Sequence, residues 1–296
     1  MQNTGPMKLF FVINPISGGK EKHDWEKEIR EFLKDSVHTM EFYLLNGDKS
    51  DRTSIEHYIK MIQPDKVVAV GGDGTVKFVA EMVKDSTTAL GILPAGSANG
   101  MARELELPLT AAEALEVIIN GEEKQIDLIR VNDHLCIHLS DIGLNALLVK
   151  YFEQSKKRGM WGYGKAIFRV LWQKQKMYVT INTDKGTYKR KAYMVVLANA
   201  RKYGTGANIN PDGNLSDGKF EIVVLRKINL LEIFKAIFTD KSFHPRRIEV
   251  FSTTKAQLST LRRTYFQVDG EFLGKLTKID ASVMPKALTV MVPKQA

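Results

Sequence analysis

Cysteine is all but missing. Cys136 stands alone among 296 residues, which excludes an intramolecular disulfide framework and a cysteine-based zinc cluster. No apolar run approaches the roughly 20 residues of a membrane-spanning helix. No charged-then-apolar leader opens the chain, so a cytoplasmic protein is expected. A G-x-x-x-x-G-K-[ST] loop is absent, excluding a P-loop nucleotidase. No G-x-G-x-x-G follows a strand pattern, which argues against a Rossmann dehydrogenase, and the protein-kinase pair H-R-D and D-F-G is missing. The six histidines are scattered, with no H-E-x-x-H and no recognisable triad. Internal repeats and low-complexity linkers are absent too.

What remains is an ordinary soluble composition, 44% hydrophobic and 26% charged, long enough for one large or two medium domains. The net charge of +9 is unevenly spread. Residues 1–150 hold 16 Lys and Arg against 23 Asp and Glu, and residues 151–296 hold 27 against 11. The basic half includes Lys156-Lys157-Arg158, Lys189-Arg190-Lys191, Arg201-Lys202, Arg246-Arg247 and Arg262-Arg263. Such a face suits an anionic bilayer, at roughly 1 kcal/mol per basic residue near the surface. It equally suits solubility alone. Nucleic acid is not an expected partner, because no RNP, zinc-finger or helix-turn-helix pattern accompanies the charge.

The patterning divides the chain. Lys8–Ile13, Thr39–Leu45, Val67–Val70 and Ala89–Leu93 read as strands. Helical spacings intervene at Trp25/Ile29/Phe32/Leu33, at Ile55/Tyr58/Ile59/Ile62 and after Gly74, and Leu109–Ile119 closes the series. That alternation predicts a parallel sheet with helices on both faces. Beyond residue 125 it gives way to hairpin patterns. Lys124–Val131 pairs with His134–Leu139, and Lys176–Thr183 with Thr187–Ala198. Amphipathic stretches lie at Leu147–Phe152 and Ile167–Leu171, and later strands at Phe220–Leu225, Ile248–Phe251, Thr264–Val268 and Ile279–Val283. The fold expected is α/β: a nucleotide-binding parallel-sheet domain over residues 1–125, plus about 286–296, and an antiparallel β-sandwich over 126–285.

Ligands of open parallel sheets sit beyond the carboxyl ends of the strands. Three of the loops there are rich in Gly, Ser, Asn and Pro: residues 14–19, 71–74 and 94–100. The strand Val67–Val70 runs straight into Gly71-Gly72-Asp73-Gly74 and then a helix start. A bare turn before a helix offers backbone N–H groups and the positive helix end to an anion. Asp73 in its midst suits a metal ion between carboxylate and phosphates, or hydrogen bonds that hold the turn.

Gly71-Gly-Asp-Gly-Thr75 after a buried strand resembles a signature shared by diacylglycerol kinases, sphingosine kinases, NAD kinases and, more distantly, phosphofructokinases. Asn14-Pro-Ile-Ser-Gly18, Gly71–Thr75, Leu93-Pro-Ala-Gly-Ser-Ala-Asn99, Leu215-Ser-Asp-Gly218 and Val268-Asp-Gly-Glu271 follow in that order. Together they resemble the successive motifs of the diacylglycerol kinase catalytic family, soluble lipid kinases that include the sphingosine kinases. The likeness runs from residue 8 to about 293, and the downstream asparagine–glutamate motif of NAD kinases is not found.

The resemblance implies an ATP- and Mg²⁺-dependent transfer to a hydroxyl of a membrane lipid, diacylglycerol first and a sphingoid base or ceramide second. It implies ATP contacts at Asn14, Pro15, Ile16, Ser17, Gly18, Gly71, Gly72, Asp73, Gly74, Thr75, Val76, Lys77 and Ser97. Asp73 would stand near the metal–phosphate assembly, and Asp127 matches a further family aspartate near the hinge between domains. Glu271, with Asp269 as rival or partner, would be the base. Unaided by the family, Asp269-Gly270 reads as a hairpin turn. Asp217, with the carbonyls of Asn214 and Lys219, would hold a structural Mg²⁺. The implied setting is the cytoplasmic surface of a membrane, with a second copy of the chain a candidate partner. Departures are visible. Gly100 replaces the usual aspartate of the third motif, Lys77 replaces a common asparagine, and Leu147 stands where sphingosine kinases carry an aspartate for the substrate amine. A nucleotide- and lipid-binding sensor without catalysis is the competing expectation.

Overall fold

The computed structural model describes residues 5–17, 24–144, 146–147, 175–203, 207–208, 213–227 and 248–294. Gly18, the stretch Ile167–Leu171, most of Leu147–Phe152, and the basic clusters Lys156-Lys157-Arg158 and Arg246-Arg247 lie outside the described residues. The chain divides into two compact units, Met1–Ile126 with Lys286–Ala296, and Asp127–Pro285.

The first unit alternates strands and helices: β1 (Lys8–Ile13), α1 (Trp25–Phe32), β2 (Thr39–Leu44), α2 (Ser50–Ile62), β3 (Lys66–Gly71), α3 (Asp73–Val83), β4 (Ala89–Pro94), α4 (Gly100–Glu104) and α5 (Ala111–Asn120). The short α4 is the one element here that the pattern did not predict. The strands are parallel in the order β2-β1-β3-β4. All residues of β3 and β4 are buried, as expected of strands covered on both faces. Leu9, Phe11, Ile13, Val68 and Val70 share a core with Ile29 and Leu33 at α1 and with Leu115 and Ile118 of α5. The alternate residues Phe10, Val12, Val67 and Ala69 are buried on the opposite face, where the Phe10 ring stacks on Tyr58 of α2 at 5.8 Å. At the start of β3, buried Lys66 donates from Nζ to the carbonyl of Ile118 at 2.7 Å. It thereby caps α5, and burial lowers its pKa.

The second unit holds β5 (Glu122–Val131, begun in the first unit), β6 (His134–Cys136), β7 (Leu139–Gly143), β8 (Met177–Thr183), β9 (Gly186–Ala192), β10 (Met194–Ala198), the short pair β11 (Lys202–Tyr203) and β12 (Ala207–Asn208), β13 (Phe220–Leu225), β14 (Ile248–Thr253), β15 (Lys255–Val268) and β16 (Glu271–Val292, ending in the first unit). One layer runs β14-β13-β10-β7-β15, with its pairs antiparallel. The other joins β9, β8, β15 and β16. Long β15 serves both, meeting β8 through Ala256–Thr260 and β7 through Phe266–Val268. Between the layers lie Val179, Ile181, Val195, Leu197, Phe220, Ile222, Leu258, Phe266 and Ile279. The second hairpin predicted from sequence breaks at Tyr193. Its amide donates to Leu225 and its carbonyl accepts from Leu144, so β9 stays with β8 while β10 changes partners.

Arg190 and Glu249 tie β9 to β14, with Nε to Oε2 at 2.7 Å and Nη2 to Oε1 at 2.5 Å. The guanidinium hydrogen bonds hold the Glu249 carboxyl below its usual range. A carboxyl so lowered stabilises fully above its unfolded pKa of about 4.3, and that contribution disappears as pH falls through the folded value. Glu249→Gln should therefore cost about 1 kcal/mol at pH 7 in urea denaturation, and nothing once the pH is below the folded pKa.

Candidate active site

In the first unit the strand order reverses at β1, since β2 lies on one side of it and β3 and β4 on the other. The loops after β1 and β3 therefore open at a topological switch point, where ligands of such sheets collect. They are fastened together. The amide of Asn14 donates to Val70 at 2.9 Å, and its side-chain Nδ2 reaches Thr75 Oγ1 at 3.3 Å. Asn14 also turns its own loop, Oδ1 accepting from Ile16 and the carbonyl from Ser17. Pro15, Ile16 and Ser17 thus stand at the edge of the sheet, with Ile16 exposed.

The β3 and β4 loops are joined more closely. Ala95 donates its amide to Gly71 at 2.9 Å. A Cβ on Gly96 would lie 2.5 Å from Gly72 Cα, so the two backbones meet where no side chain fits. Asp73 reaches across from α3, its Oδ2 accepting from Gly100 and its Oδ1 from Met101, each at 3.0 Å. Of the two roles weighed for this carboxylate, the structure displays the turn-holding one, but the loop it holds is the one after β4. Asn99, in a left-handed conformation with φ 49, returns Oδ1 to the amide of Gly96 at 2.9 Å. The first-turn amides of Asp73 and Gly74 have no intrahelical carbonyl to meet, and Gly74 is exposed with open space where a Cβ would point. Thr75, Val76 and Lys77 are buried behind them, and Ser97 is exposed on the β4 loop.

In the second unit Asp269 and Gly270, with φ 49 and 85, form the two-residue turn between β15 and β16. The turn is anchored twice. Asp269 accepts the amides of Ile137, His138 and Leu139 at 3.0–3.1 Å. Gln267, buried in β15, accepts from Gly270 at 2.7 Å and donates to the buried carboxylate of Asp141, which also takes the amide of Ala146. Glu271 follows, exposed at the start of β16. Gln267 and Asp141 escaped the sequence reading, because neither belongs to a recognisable motif.

The Asp217 loop belongs to a third arrangement, also within the second unit. Asp127, buried, accepts from Gly218 at 2.6 Å and donates its amide to Leu215 at 2.6 Å. Asn199 donates to the Asp127 carbonyl at 2.7 Å. On the loop, Asn214 Oδ1 accepts from Ser216 and Asp217 Oδ1 from Lys219, each at 3.0 Å. Among the described residues no three His, Cys, Asp or Glu side chains gather as a metal cluster. The exposed carboxylate of Asp217 is an oxygen donor of the kind that suits a hard, water-rich cation such as Mg²⁺ rather than zinc.

Comparison with known proteins bears on the family and the fold. The profile of the diacylglycerol kinase catalytic domain matches residues 8–131, and that of the YegS C-terminal NAD kinase beta sandwich-like domain matches residues 141–292. A diacylglycerol kinase of Staphylococcus aureus is 28% identical over 283 residues, 90% of this chain and 86% of its own length. One from Staphylococcus saprophyticus is 29% identical over 220 residues, 72% of each chain. The crystal structure of a diacylglycerol kinase from Bacillus anthracis superposes with a TM-score of 0.76 at 18% identity, and a second structure from that organism with 0.81 at 21%, each covering 98% of both chains. The chain belongs to the diacylglycerol kinase family, and it is a lipid kinase of the two-domain kind that pairs a parallel-sheet unit with a β-sandwich.

Gly74→Ala should separate stability from ligand binding. It should add about 0.5–1 kcal/mol of helix stability, read as a raised thermal midpoint, and weaken nucleotide binding in a titration of the same protein. Gly96→Ala should lower both, costing about 1–3 kcal/mol because backbone must move to admit the methyl group.

Proposed function

We propose that the protein transfers the γ-phosphoryl group of ATP to the primary hydroxyl of diacylglycerol, giving phosphatidic acid. The observation that carries this reading is the convergence of three small-residue loops at one edge of β1, β3 and β4, in a chain whose relatives are diacylglycerol kinases. Asn14–Ser17, Gly71–Lys77 and Ser97 would receive the nucleotide. The amides of Asp73 and Gly74 and the N-terminus of α3 would face its phosphates, with charge neutralised by preorganised donors. Asp73 fixes the loop after β4 through its two amide bonds and keeps lone pairs for a cation. Mg²⁺, when bound, supplies neutralisation of phosphate charge, and phosphoryl transfer is mostly positioning plus such neutralisation. Asp217, with the carbonyls of Asn214 and Lys219, would hold a structural Mg²⁺ that stiffens the loop tied to Asp127.

Glu271 takes the proton of the lipid hydroxyl. The hydroxyl oxygen forms its bond to the γ-phosphorus as the bond to the β–γ bridging oxygen breaks, and ADP leaves. Asp269, engaged by three amides, sets the turn that presents Glu271 and is the less available base. Buried Leu147 favours a neutral acceptor. A sphingoid amine would need a carboxylate at that place, whereas ceramide, whose nitrogen is an amide, remains the second candidate. The proposed working place is the cytoplasmic membrane surface. Among the described residues no helix is long and apolar enough to cross a membrane.

Labelled ATP and Mg²⁺ with a panel of diacylglycerol, ceramide and sphingosine should label diacylglycerol most. Label on sphingosine alone would overturn the acceptor. Glu271→Gln should lower turnover by about a thousandfold or more with ATP affinity unchanged; retained turnover would move the base elsewhere. Gln267→Leu should lower kcat more than KM and shift the pH profile, because the glutamine acts through the turn that carries Glu271.

A further inference from the structure

The face of the second unit around residues 260–263 is not an ordinary solvated basic surface. Ser259 pairs with Lys278 and Thr264 with Leu276, so β15 spends five residues where β16 spends two. The surplus bulges out of the ladder. Leu261 stands on the bulge with 81% of its surface exposed, followed by exposed Arg262 and Arg263. Thr260 pairs with Val179, which brings Tyr178, itself 55% exposed, to the next position beside Leu261.

Both side chains line a concavity of about 790 Å³ within this unit. Three lysine–tyrosine pairs stand around it. Lys275 Nζ lies 4.4 Å from the Tyr265 ring centre, Lys191 5.0 Å from Tyr178, and Lys176 5.1 Å from Tyr193. None of the described residues that line it is acidic. The site thus combines an uncovered leucine, aromatic rings with polar tips, and cations of one sign.

We propose that this face docks on an anionic phospholipid bilayer, with Leu261 and Tyr178 entering the interface and the surrounding lysines and arginines meeting headgroup phosphates. Tyrosine rings settle at headgroup depth, and Lys and Arg stems lie along apolar surface while their charges stay among the phosphates. A leucine at the crest gains by leaving water for acyl chains and gains nothing against the sugar–phosphate backbone of a nucleic acid. The inference takes its purpose from the proposed bilayer acceptor, but vesicle binding is read without turnover. A chain that binds vesicles and phosphorylates nothing would refute the acceptor alone. One that phosphorylates detergent-dispersed diacylglycerol yet ignores vesicles would refute the docking face alone.

The test is co-sedimentation of the full chain with phosphatidylcholine vesicles, with and without phosphatidylglycerol, at low and physiological salt. Binding is expected only with phosphatidylglycerol, weakening as salt rises. Leu261→Ser combined with Arg262→Ser should weaken it about tenfold, with the thermal midpoint unchanged because both side chains are exposed. A Leu261→Trp variant should add blue-shifted emission on the same vesicles. Equal binding to neutral vesicles, no binding, an unaffected double variant or unshifted emission would overturn the proposal. So would tighter binding to a single-stranded RNA oligonucleotide that the double variant loses.

Discussion

A single carboxylate does much of the organising in the first unit. Asp73 begins one helix and accepts the first two amides of another. Without that acceptor, the start of α4 would leave donors unsatisfied, at about 1–3 kcal/mol for each buried group. The same bonds keep the loop after β4 against the loop after β3, where Gly72 and Gly96 already touch. In their described parts the three loops are consequently fastened to one another rather than three independent segments; preorganisation of this kind favours a site that acts by positioning.

The second unit solves a related problem by other means. Its two-residue turn at Asp269-Gly270 is short, with Asp269 half-buried and Gly270 exposed, and it hangs from buried partners on either side. Asp269 binds the strap 137–139, and Gln267 links Gly270 to Asp141. Carboxylates that accept several backbone amides are stabilised in place. That leaves Asp269 a holder and Glu271 the side chain presented to solvent. Asp-Gly is thus a hairpin turn, and the role proposed for Glu271 is compatible with it, since the glutamate follows the turn at an exposed position.

The parallel sheet was legible because Val67–Val70 and Ala89–Leu93 are short runs without a polar side chain, one ending at Gly71-Gly72 and the other at Pro94. The sandwich was less so. Lys255–Val268 alternates only briefly, over Ala256 and Leu258, before the bulge with Leu261, Arg262 and Arg263 interrupts the pattern, and only Thr264–Val268 was recognised. Glu271–Val292 is one strand, whereas its sequence shows two separate apolar runs with Pro285 and Lys286 between. The glycine loops announced themselves through composition. Their fastenings did not, because hydrogen bonds such as Asp73 to Met101 or Gln267 to Asp141 join residues far apart along the chain.

The path of β16 bears on how the protein is made. Residues 286–292 close the first unit, where Leu288, Val290 and Met291 are buried and Ala287 accepts the amide of Asp85. On a ribosome, residues 127–285 emerge before that closing segment does. The second unit can mature while the first, though begun earlier, still waits for its final strand. Domains usually assemble in the order of synthesis; here the unit that starts first is completed last.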